Sequence, residues 1–236
     1  MKKLTGFARP IGARALVGVA AALFVVTGRG EPRAADSKSA CNAIVIDRLL
    51  QVTEEEIVPL TRQGVERGNK LFGAAILRKS DLSLALAATN HETENPLWHG
   101  EVQAIKSLYE MPRSQRPAPK ESIFFATHEP CPLCLSAITW SGYDIFYYLF
   151  SYEDSRDSFN IPHDIRILKE VFRQEPGGYA QENHYWKSYD VMTMIGGCDE
   201  ERQRGYRARV DALKKTYAEM SDVYQKSKGD HEIPLD

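Results

Sequence analysis

Cysteine is scarce in this chain. Four in 236 residues cannot be the main reinforcement of a fold this size, which excludes a disulfide-rich scaffold. No apolar run is long enough to span a bilayer as a helix: the longest candidate, Ala15–Val26 (ALVGVAAALFVV), falls short of about 20 residues. Disorder and internal repeats have no signature in the composition. What remains is 43% hydrophobic and 26% charged, ordinary for a globular domain with a sizeable core.

Acid is nearly absent from the first 35 residues. Six basic residues there, Lys2, Lys3, Arg9, Arg14, Arg29 and Arg33, face one acid, Glu31. Residues 36–236 therefore hold 24 basic and 31 acidic residues, a net of −7. A body that acidic repels a phosphate backbone unless its basic residues cluster. Residues 1–35 read as a targeting-like or disordered segment. A basic start before a short apolar core points to export or membrane tethering. Arg29 and Arg33 beyond the core, and no clean cleavage site, keep a transit peptide or a misassigned start open, with a cytoplasmic protein as the remainder.

Hydrophobic periodicity orders the rest. Ile44–Gln51 reads as a helix, and Thr53–Glu56 as a capping box opening a second, with Pro59 forcing a kink or a later start. Leu71–Leu77 and Leu82–Thr89 read as a hairpin, Asn90–Pro96 as a polar loop, and Trp98–Tyr109 as a helix. Ser122–Thr127 and Tyr143–Phe150 read as strands flanking a helix over Pro132–Trp140. Ile165–Phe172 is a further helix. Alternating strands and helices predict a mixed central sheet with helices on both faces, a three-layer α/β/α fold. Tyr206, Val210, Leu213, Tyr217, Met220 and Tyr224 recur at helical spacing, an amphipathic C-terminal helix whose other face carries Arg202, Arg204, Arg207, Arg209, Lys214 and Lys215. That helix reads as a docking or oligomerisation element, or else as a grip on nucleic acid. The expected organisation is a core domain over 43–190 and a helical extension over 199–228.

Two motifs carry the chemistry: His99-Gly100-Glu101 and Pro130-Cys131-Pro132-Leu133-Cys134. With one Cys-x-x-Cys only, a four-cysteine zinc site is excluded, and a redox pair would leave His99 and Glu101 idle. Cys131 and Cys134 at a helix start place both sulfurs on one side of its first turn. His99, at the start of another helix, completes three ligands and leaves a fourth tetrahedral position open, as in catalytic zinc sites. Glu101 shares the turn without pointing at the metal, the position of a proton shuttle. Cys41 and Cys198 are expected as buried thiols, with a Cys41–Cys198 bridge as the alternative in an exported protein.

The H-x-E…P-C-x-x-C pattern resembles the cytidine deaminase-like superfamily of zinc deaminases. From Leu71 to Phe150 the chain is similar to its guanine deaminase and tRNA adenosine deaminase branches, through FGAAIL, Asn90, WHGEVQAI and THEPCPLCLSAITW. The resemblance implies one Zn2+ per chain on His99, Cys131 and Cys134, with Glu101 as general acid/base. It also implies substrate contacts from Asn90, Phe72 and Gly73. The reaction implied turns a cyclic amidine into an amide and releases ammonia, with a free purine such as guanine as the preferred substrate. Alternatives are tRNA adenosine, cytosine or cytidine, and a non-catalytic zinc-binding interaction module. Association as a homodimer is implied as well. Gly100 departs from the commoner H-A-E, His128 stands where relatives vary, and an aromatic Trp98 comes just before the ligand. His91 and Glu92 read as a surface pair, Glu129 as a structural partner of the zinc loop, and His128 as a packing residue or one supporting the ligands. Tyr152 reads as core or pocket wall, and Tyr185 and Trp186 as packing or a pocket closure.

Overall fold

The computed structural model describes residues 41–235, so the targeting-like segment at 1–35 lies outside the described residues. Helix α1 (Ala43–Val52) runs through a π-helical turn, Thr53–Ile57, into α2 (Val58–Glu66). The expected capping box does not form. Thr53 is buried inside the helical run, and its hydroxyl donates to Leu49 O at 2.8 Å. Pro59, at the start of α2, lacks an N–H and would press on the carbonyl four residues back, so the widened turn absorbs it.

A hairpin of β1 (Gly73–Arg78) and β2 (Leu84–Thr89) precedes α3 (Gly100–Glu110). Then come β3 (Ser122–His128), α4 (Pro132–Trp140), β4 (Ile145–Phe150), α5 (Tyr152–Asp157) and α6 (His163–Glu170). A strand that sequence reading missed, β5 (Lys187–Asp190), is followed by α7 (Val191–Gly196) and α8 (Glu200–Ser227). β5 is four residues of mixed polarity (KSYD), too short for alternation to register. The sheet order is β2-β1-β3-β4-β5. β1 is antiparallel to both neighbours, while β3, β4 and β5 are parallel. This is the expected mixed sheet.

Alternation along the strands divides the core in two. Ala74, Ile76, Phe124, Phe146 and Tyr148 face a layer with Ala104, Leu108, Leu135 and Ile138 of α3 and α4. Ala75, Leu77, Phe125, Tyr147 and Leu149 face the other, built from α1, α2, α7 and α8. The apolar stripe of α8, Tyr206 to Tyr224, is buried in that second layer. Its partner is this chain's own sheet and helices, which replaces the docking reading of the stripe. Arg209 anchors the helix further through a two-pronged pair with Glu54, at 2.9 and 2.7 Å.

Cys41 and Cys198 are joined by a disulfide, against the expectation of two free thiols. It ties Cys41, just ahead of the α1 N-cap Asn42, to the α7–α8 turn across a sequence separation of 157. Sequence reading preferred thiols because cysteines that far apart give no sign of proximity; the packing of α1 against α7 and α8 supplies it. Among the described residues no helix is long and apolar enough to cross a membrane.

Chain-entropy arguments give a cross-link over so long a loop about 5 kcal/mol. Replacing both residues (Cys41→Ser with Cys198→Ser) is expected to lower unfolding stability by about 3–5 kcal/mol in a denaturant titration, with zinc content unchanged.

Candidate metal centre

Two helix N-termini converge at the carboxyl end of β3. His99 is the N-cap of α3 and Cys131 the N-cap of α4, with Pro132 opening the latter. Proline suits a first helical position, where its missing N–H would have no partner. Cys134 follows one turn later and is fully buried. The ligand atoms of His99, Cys131 and Cys134 all lie within 4.8 Å of one another. His99 Nδ1 stands 3.5 Å from Cys131 Sγ and 3.6 Å from Cys134 Sγ. A tetrahedral zinc with Zn–S about 2.3 Å and Zn–N about 2.0–2.1 Å sets nitrogen and sulfur about 3.5–3.6 Å apart. The residues fit the ion, and they identify Nδ1 as the ligating nitrogen.

The electrostatics suit a cation there. Hydrogen bonding from Cys134, together with His99, holds the Cys131 thiol well below its ordinary range against the opposing effect of burial. Burial lowers the His99 imidazole, but the hydrogen bond and charge of Cys131, with Glu92 and Glu101, outweigh it and raise it to about 9. Both helix starts add partial positive charge that favours thiolate. Glu101, buried in the first turn of α3, lies 3.2 Å from Cys134 Sγ through Oε2. Burial, then the Cys131 charge, pushes its carboxyl up to about 7.

The pocket beside these residues is lined by Phe72, His99, Glu101, His128, Glu129, Cys131 and Asp164. The space enclosed is about 10 Å³, room for one water, so a ring enters only as the lining side chains give way. Of the expected substrate contacts, Phe72 is there. Asn90 is not: it is 0% exposed. Its Nδ2 donates to Glu92 Oε2 at 2.7 Å, and its Oδ1 accepts from Gly100 N. Gly73 is also absent from the lining, with its N–H and C=O both on Thr127 Oγ1 at 3.0 and 3.1 Å.

Gly73 and Gly100 instead touch each other. A Cβ on Gly100 would sit 2.9 Å from Gly73 Cα and 2.9 Å from Phe72 O. The departure from H-A-E is thus a steric requirement of this chain, since β1 and α3 meet backbone to backbone.

His128 is the predicted packing residue. Its ring is enclosed by Phe72, Phe150, Phe159 and Tyr217 at 4.5–5.3 Å between centroids, and burial pushes its imidazole down to about 3. Glu129 Oε2 accepts from Tyr152 N at 3.1 Å, and Tyr152 Oη donates to Pro130 O at 2.5 Å. Together they brace the Cys131 loop. Trp186 packs on Phe146 and donates to Thr139 Oγ1 at 2.8 Å, away from the pocket lining, and Tyr185 is exposed. Asp164, in the first turn of α6, was missed. An acid there is an ordinary helix-start residue, and nothing in the sequence marks it; burial, then the Cys131 charge, raises its carboxyl well above the usual range. Glu92, expected at the surface, is buried.

The fold and site together define a three-layer α/β/α protein with a His-Cys-Cys zinc centre. Residues 51–150 match the family model of the cytidine and deoxycytidylate deaminase zinc-binding region. Three solved structures are similar. A tRNA:A34 deaminase is 20% identical with a TM-score of 0.40, covering 59% of this chain and 98% of its own. The guanine deaminase from Nitrosomonas europaea is 18% identical with a TM-score of 0.44, covering 82% and 97%. The guanine deaminase from Bacillus subtilis is 22% identical with a TM-score of 0.39, covering 69% and 91%. No curated protein matches the chain.

Gly100→Ala is expected to push α3 off β1, displace His99, and reduce zinc retained after dialysis at least tenfold. Gly205→Ala, where nothing lies within 4 Å of a Cβ, serves as the control and should retain zinc fully.

Proposed function

We propose that the chain is a hydrolytic deaminase of an amino-substituted nucleobase, with a free purine of the guanine type as its substrate. The observation that carries this reading is a buried carboxyl, Glu101, set against the three-ligand centre with its pKa raised to about 7. That value suits a group that both takes and returns a proton near neutrality. When bound, zinc supplies Lewis acidity that lowers the pKa of water from about 15.7 toward 7. Glu101 accepts a proton from water and delivers it to the ring nitrogen beside the amine-bearing carbon. Water's oxygen joins that carbon, and water's second proton passes to the amino group. The exocyclic carbon–nitrogen bond breaks as the carbonyl forms, and ammonia leaves while the first proton stays on the ring nitrogen.

The other lining groups support a flat, N–H-rich ligand. Phe72 and His128 offer apolar ring surface, and Asp164 offers a carboxyl that can pair with an amino or ring N–H edge. Small size is supported by the tight pocket and by the acidic body. Of the seven basic residues on α8, Arg202, Arg209 and Lys214 pair with Asp199, Glu54 and Asp154 of this chain, which reduces the case for a polyanionic substrate. The disulfide supports an oxidising compartment, in keeping with the export reading of residues 1–35.

Replacing Glu101 with Gln is expected to lower kcat by 10²–10⁴-fold, in the range of general acid–base contributions, while zinc stays stoichiometric. An ammonia-release screen over free bases, nucleosides and a tRNA anticodon stem-loop tests the substrate. Turnover of the stem-loop alone would overturn the free-base assignment.

A homodimer is proposed through α4. Leu133, Ser136 and Trp140 form an exposed stripe on it, with Trp140 91% exposed. Trp140→Glu should convert a dimer to a monomer in light scattering, and an unchanged mass would count against this face.

A further inference from the structure

The polar loop after β2 carries a carboxylate with no surface role. Glu92 is 2% exposed; three hydrogen-bond donors converge on it and His99 Nε2 stands close by. Oε1 receives Lys70 Nζ at 3.0 Å and lies 3.5 Å from His99 Nε2. Oε2 receives Asn90 Nδ2 at 2.7 Å and the Lys70 backbone N–H at 3.2 Å. Lys70 is itself buried, its ammonium 5.9 Å from the centroid of the Tyr224 ring on α8. The two charges therefore neutralise each other out of water, an arrangement that is costly unless both partners are fully satisfied.

The geometry at His99 gives this pair a purpose beyond packing. Nδ1 faces both sulfurs, so Nε2 is the nitrogen left over. A neutral imidazole that ligates through one nitrogen carries its proton on the other, and a carboxylate there fixes tautomer and ring orientation. Glu92 stands at that nitrogen. Through Asn90, whose Oδ1 takes the Gly100 N–H, the same carboxylate also holds the first turn of α3. We propose that Glu92 is a positioning residue for the metal: neutralised by Lys70, it accepts the Nε2–H of His99 and so presents Nδ1 to the ion. The proposal rests on His99, Cys131 and Cys134 being the zinc ligands.

Zinc release from the full chain to the chromophoric chelator 4-(2-pyridylazo)resorcinol tests it. Glu92→Gln offers one acceptor where three donors and His99 Nε2 meet, and zinc affinity should fall about 10–100-fold. Because Gln would leave Lys70 buried without its counter-charge, the double variant Lys70→Met with Glu92→Gln is measured beside it and should show the same loss at a melting temperature closer to that of the parent. Long-range proton–nitrogen spectra of the zinc-loaded parent should show His99 bound through Nδ1 and protonated at Nε2. Parent-like zinc release in both variants, or metal on Nε2, would overturn the proposal. His99→Ala separates the two levels of the argument: parent-like zinc retention in that variant sinks the metal centre itself, whereas loss there with parent-like retention in the Glu92 variants sinks this proposal alone.

Discussion

The backbone-to-backbone contact between Gly100 and Gly73 sets the geometry on which the site depends. With Gly100 Cβ-less and lying against Gly73 Cα and Phe72 O, α3 starts directly on the end of β1. His99, one residue earlier, then reaches across to the α4 N-terminus, where Cys131 and Cys134 wait at 3.5 and 3.6 Å. Two glycines, neither of them a ligand, decide how far apart three ligands stand. Thr127 reinforces the joint by bonding both polar groups of Gly73.

Around that joint the protein places buried charge with care. Glu101 lies on one side of His99, raised toward neutrality by burial and by the Cys131 thiolate. Glu92 lies on the other, matched to Lys70. These two carboxyls have opposite surroundings. One is raised by burial and by the Cys131 charge; the other is held by the Lys70 ammonium, the Lys70 N–H and the Asn90 amide. Environment, more than residue type, divides the roles.

The same layered plan explains the rest of the chain. α8 fills one face of the sheet with its aromatic stripe and covers Lys70 with Tyr224, so the C-terminal helix supports the metal centre from beneath. The Cys41–Cys198 bridge closes this layer by fastening the start of α1 to the α7–α8 turn.

By itself the sequence marked His99, Cys131 and Cys134 as a metal-ligand set with Glu101 beside it, and the alternation of strands and helices. Those signals are local: a ligand pair three residues apart, a carboxylate two residues from a histidine, and apolar periods within one element. What joins residues distant in the chain was decided by tertiary structure. The fold buries Asn90 with its amide on Glu92 and Gly100; Glu92 looked exposed, yet the fold brings Lys70 and His99 to it. The disulfide, Asp164 at the pocket and the short β5 belong to the same group. A polar residue's burial depends on which element folds over it, and that is written in the packing of α2, α3 and α8, not in the few residues on either side.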